Sequence, residues 1–155
     1  MLIAHRGNLE GPDKSTENTV EQIEKVLNET PFDVEIDVWK VGSHYYLGHD
    51  EPVEQVTTQF LCNPRFWIHA KNYDALSTLV QVLPAHIHVF SHDKDPAVLT
   101  STRIPWVYPG QQVDESAIIV MPERTPDAYT IKQLKHARGI CTDYPHRYVQ
   151  LLAEL

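Results

Sequence analysis

Seven short apolar runs, each closing on polar or charged residues, recur along the chain: Leu2–Ala4, Val34–Val38, Phe66–Ile68, Ile87–Phe90, Trp106–Tyr108, Ile118–Met121 and Gly139–Cys141. Runs of this length and apolarity read as buried strands. With helical segments between them, they predict parallel strands covered on one side by helices. The clearest helical segment follows the first run, where Val20, Ile23, Val26 and Leu27 form a stripe at helical spacing. Its start has two candidate caps, Asn18 with Glu21 or Thr19 with Gln22. Further helices are expected over Tyr73–Val82, over Asp127–Ala137 and after Pro145. Between Val41 and Gly48 a turn and a short return strand extend the second run as a hairpin.

Strand–helix alternation without a Gly-rich phosphate loop favours a β/α barrel over a doubly wound sheet. Polar residues just after the strands agree, because barrel sites lie there. A complete eight-unit barrel takes about 200–250 residues. This chain has 155, and the interval between Tyr108 and Ile118 leaves no room for a covering helix. The expectation is therefore an α/β fold, a reduced TIM-like barrel with helices missing in its second half. It is expected to form a single domain over residues 1–155.

Composition narrows the classes of partner. Hydrophobic residues make up 42% and charged residues 22%, ordinary values for a globular protein. No run approaches the ~20 apolar residues of a membrane span, so no membrane insertion is expected. The N-terminus lacks the basic and apolar regions of a signal peptide. Cys62 and Cys141 are far apart and outside any metal spacing, which reads as reduced thiols and a cytoplasmic protein. The net charge of −8 argues against nucleic acid. It leaves a small anionic substrate open. The oligomeric state is not legible.

The second run, DVEIDVWK, places Glu35 and Asp37 on one face of a strand. Two inward carboxylates would repel and lose hydration, and a divalent cation resolves that conflict. The alternative puts this face in solvent. In FWIHAKN, Trp67, His69 and Lys71 share a face, and Lys71 can neutralise a phosphate oxygen or tune the carboxylates. In LGHDEP, His49 follows the hairpin beside the same strand, a position suited to acid–base work. His5 and Arg6 close the first run, where Arg6 can grip a phosphate and His5 can supply a second proton-transfer group. Two histidines, a metal pair and a cation suffice to cleave a phosphodiester.

The ordered blocks HRG, ENT, EID and GHD resemble the glycerophosphodiester phosphodiesterases, within the group that shares the barrel of phosphatidylinositol-specific phospholipase C. The closing GICTDYP, Gly139–Pro145, is similar to that family's last strand and turn. The segment from Pro84 to Arg138 is short and divergent. The resemblance implies His5 and His49 as the catalytic pair, with His5 as base and His49 as acid by default. It implies Glu35 and Asp37 as metal ligands, Arg6 and Lys71 as phosphate-binding residues, and Glu17 and Asn18 as the ENT block. One position departs, since His69 stands where the family usually has a third acidic ligand. The family implies Mg²⁺ or Ca²⁺, whereas an imidazole favours Mn²⁺, Zn²⁺ or Ni²⁺. Glu123, in VMPER, is a candidate replacement carboxylate or an exposed loop residue. Trp39, Trp106 and Tyr108 are candidates for the pocket wall, with Trp39 placed first because it shares the face of Glu35 and Asp37.

The leading expectation is thus a metal-dependent hydrolase of a small glycerophosphodiester-like substrate. A catalytically silent relative that binds a phosphorylated ligand is the main alternative. A metal-dependent sugar isomerase is a third, but the ligand set it needs cannot be assembled here.

Overall fold

The computed structural model describes residues 1–153. In chain order these form β1 (Leu2–His5), α1 (Val20–Glu29), β2 (Asp33–Val41), β3 (His44–Leu47), β4 (Glu54–Val56), α2 (Thr58–Leu61), β5 (Phe66–Ala70) and α3 (Tyr73–Val82). Then follow β6 (His88–Phe90), β7 (Ala97–Leu99), β8 (Pro105–Val107), β9 (Ile118–Val120), a 3₁₀ turn (Pro122–Arg124), α4 (Ile131–His136), β10 (Gly139–Thr142) and α5 (Pro145–Ala153).

All ten strands belong to one sheet of a mixed α/β fold. Its parallel part runs β6–β5–β2–β1–β10–β9–β8 and uses each of the seven apolar runs. Both faces of these strands are buried, which is why most of the runs are continuously apolar, with Glu35 and Asp37 of β2 as buried exceptions. One face carries Val34, Ile36, Phe66 and Ile68 against Ile23 and Val26 of α1 and Ala75 and Leu79 of α3. Leu134 of α4 and Tyr148 of α5 cover Ile119 and Ile140 further along. The other face gathers Ile3, Trp67, Phe90, Trp106, Ile118, Val120 and Cys141 into one cluster. Burying each large side chain there contributes about 1.5–3 kcal/mol.

That second cluster requires a curled sheet. In a flat sheet the six steps from β6 to β8 would span roughly 29 Å at ~4.8 Å per strand. The rings of Phe90 and Trp106 instead lie 4.6 Å apart. Among the described residues no ladder joins β6 to β8, so the strands curl without closing into a hydrogen-bonded ring. The segment between them fills the gap: β7 pairs antiparallel with β8, and Ser101 N donates to Val89 O at 2.7 Å.

No helix follows β6 or β8; the interval after β6 holds β7 instead, and that after β8 is too short for one. The hairpin is present, with β3 antiparallel to Val38–Val41. Three short elements, β4, α2 and β7, have no counterpart in the sequence reading, because three or four residues carry no periodicity. The expected helix over Asp127–Ala137 is shorter than predicted. It starts at Ile131, where Thr130 and Gln133 form a capping box. At α1 the cap is Thr19, whose hydroxyl accepts from Gln22 N at 3.2 Å.

Candidate active site

The C-terminal ends of β1, β2, β5 and β10 bring the charged residues together. Glu35 and Asp37 are 3% and 1% exposed, so this face of β2 looks into the protein. Asp37 is gripped from several sides. Asn18 donates from Nδ2 to Asp37 Oδ2 at 2.8 Å and accepts from Asp37 N at 2.9 Å. His69 Nδ1 lies 3.0 Å and Lys71 Nζ 3.5 Å from Asp37 Oδ1, and Arg6 Nε lies 3.4 Å from Oδ2. Burial would raise the Asp37 pKa, but the hydrogen bond and charge of His69, with Lys71 and Arg6, outweigh it and hold the carboxyl well below its usual range. Glu35 moves the opposite way, pushed up by burial and by the charge of Asp37.

Two left-handed residues make this arrangement possible. Arg6 has φ 54° and Asn18 φ 56°, conformations that cost a non-glycine residue about 1 kcal/mol. They are tied together, as Asn18 N donates to Arg6 O at 3.0 Å. Arg6 N then reaches Glu35 Oε2 at 3.2 Å, and the Arg6 guanidinium donates to Glu17 Oε1 at 3.0 Å. Asn18 serves Asp37, and Thr19 beside it takes the capping role.

His5 is buried, with Nδ1 2.7 Å from Asp143 Oδ1 and Nε2 3.8 Å from Glu35 Oε2. Burial would lower its pKa. The hydrogen bond to Asp143 and the charges of Glu35 and Asp143 overcome that and raise it. Asn8 Nδ2 also donates to Asp143 Oδ1 at 2.9 Å. Sequence reasoning missed Asp143, although its place directly after the last strand was the available signal.

His49 stands across the pocket and is partly exposed, with Nδ1 2.7 Å from Asp50 Oδ1. It is presented by Gly48, where a Cβ would collide with the carbonyl oxygen of Glu51. His5, His49, Glu35, Asp37 and His69 all line one pocket of about 190 Å³. Phe90, Trp106 and Tyr108 form an aromatic wall, and the ring of His92 stacks on Tyr108 at 3.5 Å. His92, Met121 and Arg124 also line it; His92 follows a strand end in the sequence, but no motif called on it, and Met121 and Arg124 gave no signal.

Two secondary candidates lie elsewhere. Trp39 is not in the pocket wall; its indole donates to Gly48 O at 2.7 Å, because β2 turns into the hairpin there. Glu123 is not among the clustered carboxylates. Its Oε1 accepts from Thr142 Oγ1 at 2.9 Å and Asp143 N at 3.0 Å, which points it at the backbone of β10.

Glu35, Asp37 and His69 each offer a ligand atom, all within 4.8 Å of one another. Such spacing suits one divalent ion bonded at about 2.0–2.5 Å. Among the described residues Glu35 accepts a single hydrogen bond, from Arg6 N, an under-satisfied buried carboxylate that a cation would complete. The donor set therefore fits a metal, and His69 Nε2 faces the carbonyl of His92 at 3.4 Å, as the outer nitrogen of a ligating imidazole commonly does.

No family model matches the chain, and no curated protein matches it. Among solved structures it is similar to a glycerophosphoryl diester phosphodiesterase from Parabacteroides distasonis. The identity is 14%, over 99% of this chain and 86% of that one, with a TM-score of 0.42. Residue roles in this chain therefore rest on its own geometry. No described helix is long and apolar enough to cross a membrane.

Proposed function

We propose that this chain is a metal-dependent phosphodiester hydrolase acting on a small glycerophosphodiester-like substrate, and that its curled sheet is a reduced β/α barrel. The observation that carries the reading is the convergence of a metal-type cluster, Glu35, Asp37 and His69, with two carboxylate-held histidines in one pocket. The order of the HRG, ENT, EID and GHD blocks supports the substrate class.

A divalent ion held by Glu35, Asp37 and His69 would supply positive charge at a phosphoryl oxygen. The chain's own groups do the rest. Asp143 fixes His5 through Nδ1, which leaves Nε2 to take the proton of an attacking hydroxyl. On a glycerol-bearing diester that hydroxyl is vicinal, so attack forms a new P–O bond to a cyclic phosphate as the P–O bond to the alcohol breaks; water then forms a P–O bond as a ring P–O bond breaks, giving the phosphomonoester. Asp50 fixes His49 in the same way, and His49 Nε2 delivers a proton to the departing oxygen. Each proton transfer is worth ~10²–10⁴-fold. Arg6 and Lys71 stay ion-paired to Asp37, so their part is to hold that carboxylate in place for the ion.

One observation favours the rival, a silent binder of a phosphorylated ligand. Asp37 is already satisfied by Arg6, Lys71, His69 and Asn18 without any ion. Hydrolysis of glycerophosphocholine and of a chromogenic diester, with Mg²⁺, Ca²⁺, Mn²⁺, Zn²⁺ or EDTA, separates the two. Metal-dependent turnover that disappears in His49→Ala supports the hydrolase. Folded protein that binds phosphate but turns nothing over with any ion supports the binder.

A further inference from the structure

Arg6 and Lys71 are the cations that the sequence offers for gripping phosphate, yet the structure commits both. Arg6 sits among Glu17, Glu35 and Asp37, and Lys71 lies against Asp37. A guanidinium neutralised by several carboxylates has little charge left for a substrate.

Arg124 is placed differently. It borders the pocket that holds His5, Glu35, Asp37 and His69, and also an adjoining groove of about 620 Å³ that includes Lys14, Ser15 and Thr19. Among the described residues, Arg6 and His49 share that double position. Among the described residues no carboxylate lies within ion-pair distance of Arg124.

Its segment is also built to hold it there. The chain leaves β9 through Met121, a buried non-glycine residue at φ 41° and ψ 56°. That left-handed backbone is strained for a residue of this kind and persists only where surroundings over-determine it. Here Met121 N donates to Cys141 O at 2.7 Å, and Arg124 N closes the turn onto Met121 O at 3.0 Å. Glu123 pins the same turn to Thr142 and to Asp143 N, beside the carboxylate that holds His5. Arg124 is therefore carried by the element that also fixes the His5 partner.

We propose that Arg124 is the residue that contacts the non-bridging phosphoryl oxygens, and that the diester lies across it with its alcohol in the adjoining groove. This rests on the hydrolase reading above. The groove carries charges of both signs, Lys14 beside Glu17, Asp50 and Glu51, which suits a small hydroxylated or zwitterionic alcohol better than an acyl chain.

The test uses Arg124→Gln and Arg124→Lys, both at an exposed site where folding should be retained. KM and kcat are measured for glycerophosphocholine with the preferred metal, and binding of inorganic phosphate is measured by calorimetry. The expected result is a KM raised about 10-fold or more in Arg124→Gln, partly restored in Arg124→Lys, with metal affinity unchanged. A KM within about 2-fold of wild type overturns the proposal. If wild type hydrolyses no diester, the hydrolase reading fails by itself. Phosphate binding then decides: its loss in Arg124→Gln sustains the contact, whereas equal binding, or none in wild type, overturns it.

Discussion

Asp143 Oδ1 lies 2.7 Å from His5 Nδ1, joining the end of the last parallel strand to the end of the first across 138 positions of sequence. The contact exists because β1 and β10 are neighbours in register, with Ala4 opposite Thr142. It fixes which imidazole nitrogen faces the pocket. Asp143→Asn should leave the fold intact and lower kcat about 10²-fold or more, since an amide can hold the ring in the wrong tautomer. KM should change little. A kcat within a few-fold of wild type would show that His5 needs no such partner.

In the proposed ligand set, His69 is the one nitrogen donor beside two carboxylates. His69→Asp would replace one imidazole with a third carboxylate, giving an all-oxygen protein donor set. Calorimetric affinity should shift by about 10-fold towards Mg²⁺ or Ca²⁺ relative to Zn²⁺. An unchanged order of affinities would place His69 outside the ligand set.

Asn18, just before α1, is tied to β2 through both of its hydrogen bonds to Asp37. Asn18→Gly keeps the left-handed backbone but removes both. Each lost bond leaves a buried group unsatisfied, at about 1–3 kcal/mol. Urea unfolding should show a lower midpoint, and metal affinity should fall with it. A midpoint equal to wild type would mean that water replaces the amide without cost.

Acid stability tests a region away from the pocket. His88 stacks on Trp67 at 3.7 Å and touches Thr102 Oγ1 at 2.6 Å. Burial, then the charges of Arg138 and His86, lower its pKa from 6.5 to about 4. Between those values the unfolded chain takes up the proton and the folded chain resists it. His88 stability is therefore complete above about pH 6.5, is lost as pH falls towards about 4, and changes no further below that. His88→Phe keeps an aromatic ring and removes the proton site. Unfolding midpoints at about pH 7 and about pH 5 should differ less in this variant than in wild type. Equal differences would assign the acid sensitivity to other groups.

Much of the site could be read locally. Alternation along Val34–Val38 put Glu35 and Asp37 on one face, and that face is buried rather than in solvent. The seven strands stand where the apolar runs predicted them, α1 follows the stripe from Val20 to Leu27, and α3 spans the expected Tyr73–Val82. Trp39 shows the limit of the same rule. It obeys the alternation but leaves the pocket, because β2 changes partner from β1 to β3 before that residue.

The amino-acid sequence by itself determined which residues lie at strand ends and which faces they share, because periods of two and 3.6 are properties of a few consecutive residues. Only the tertiary structure decided what meets what. The approach of Phe90 to Trp106, the hold of Asp143 on His5, the neutralising of Arg6 by Glu17 and Asp37, and the place of Arg124 between two cavities all follow from strand order and sheet curl. Those are set by packing summed over the whole chain, so no local pattern encodes them.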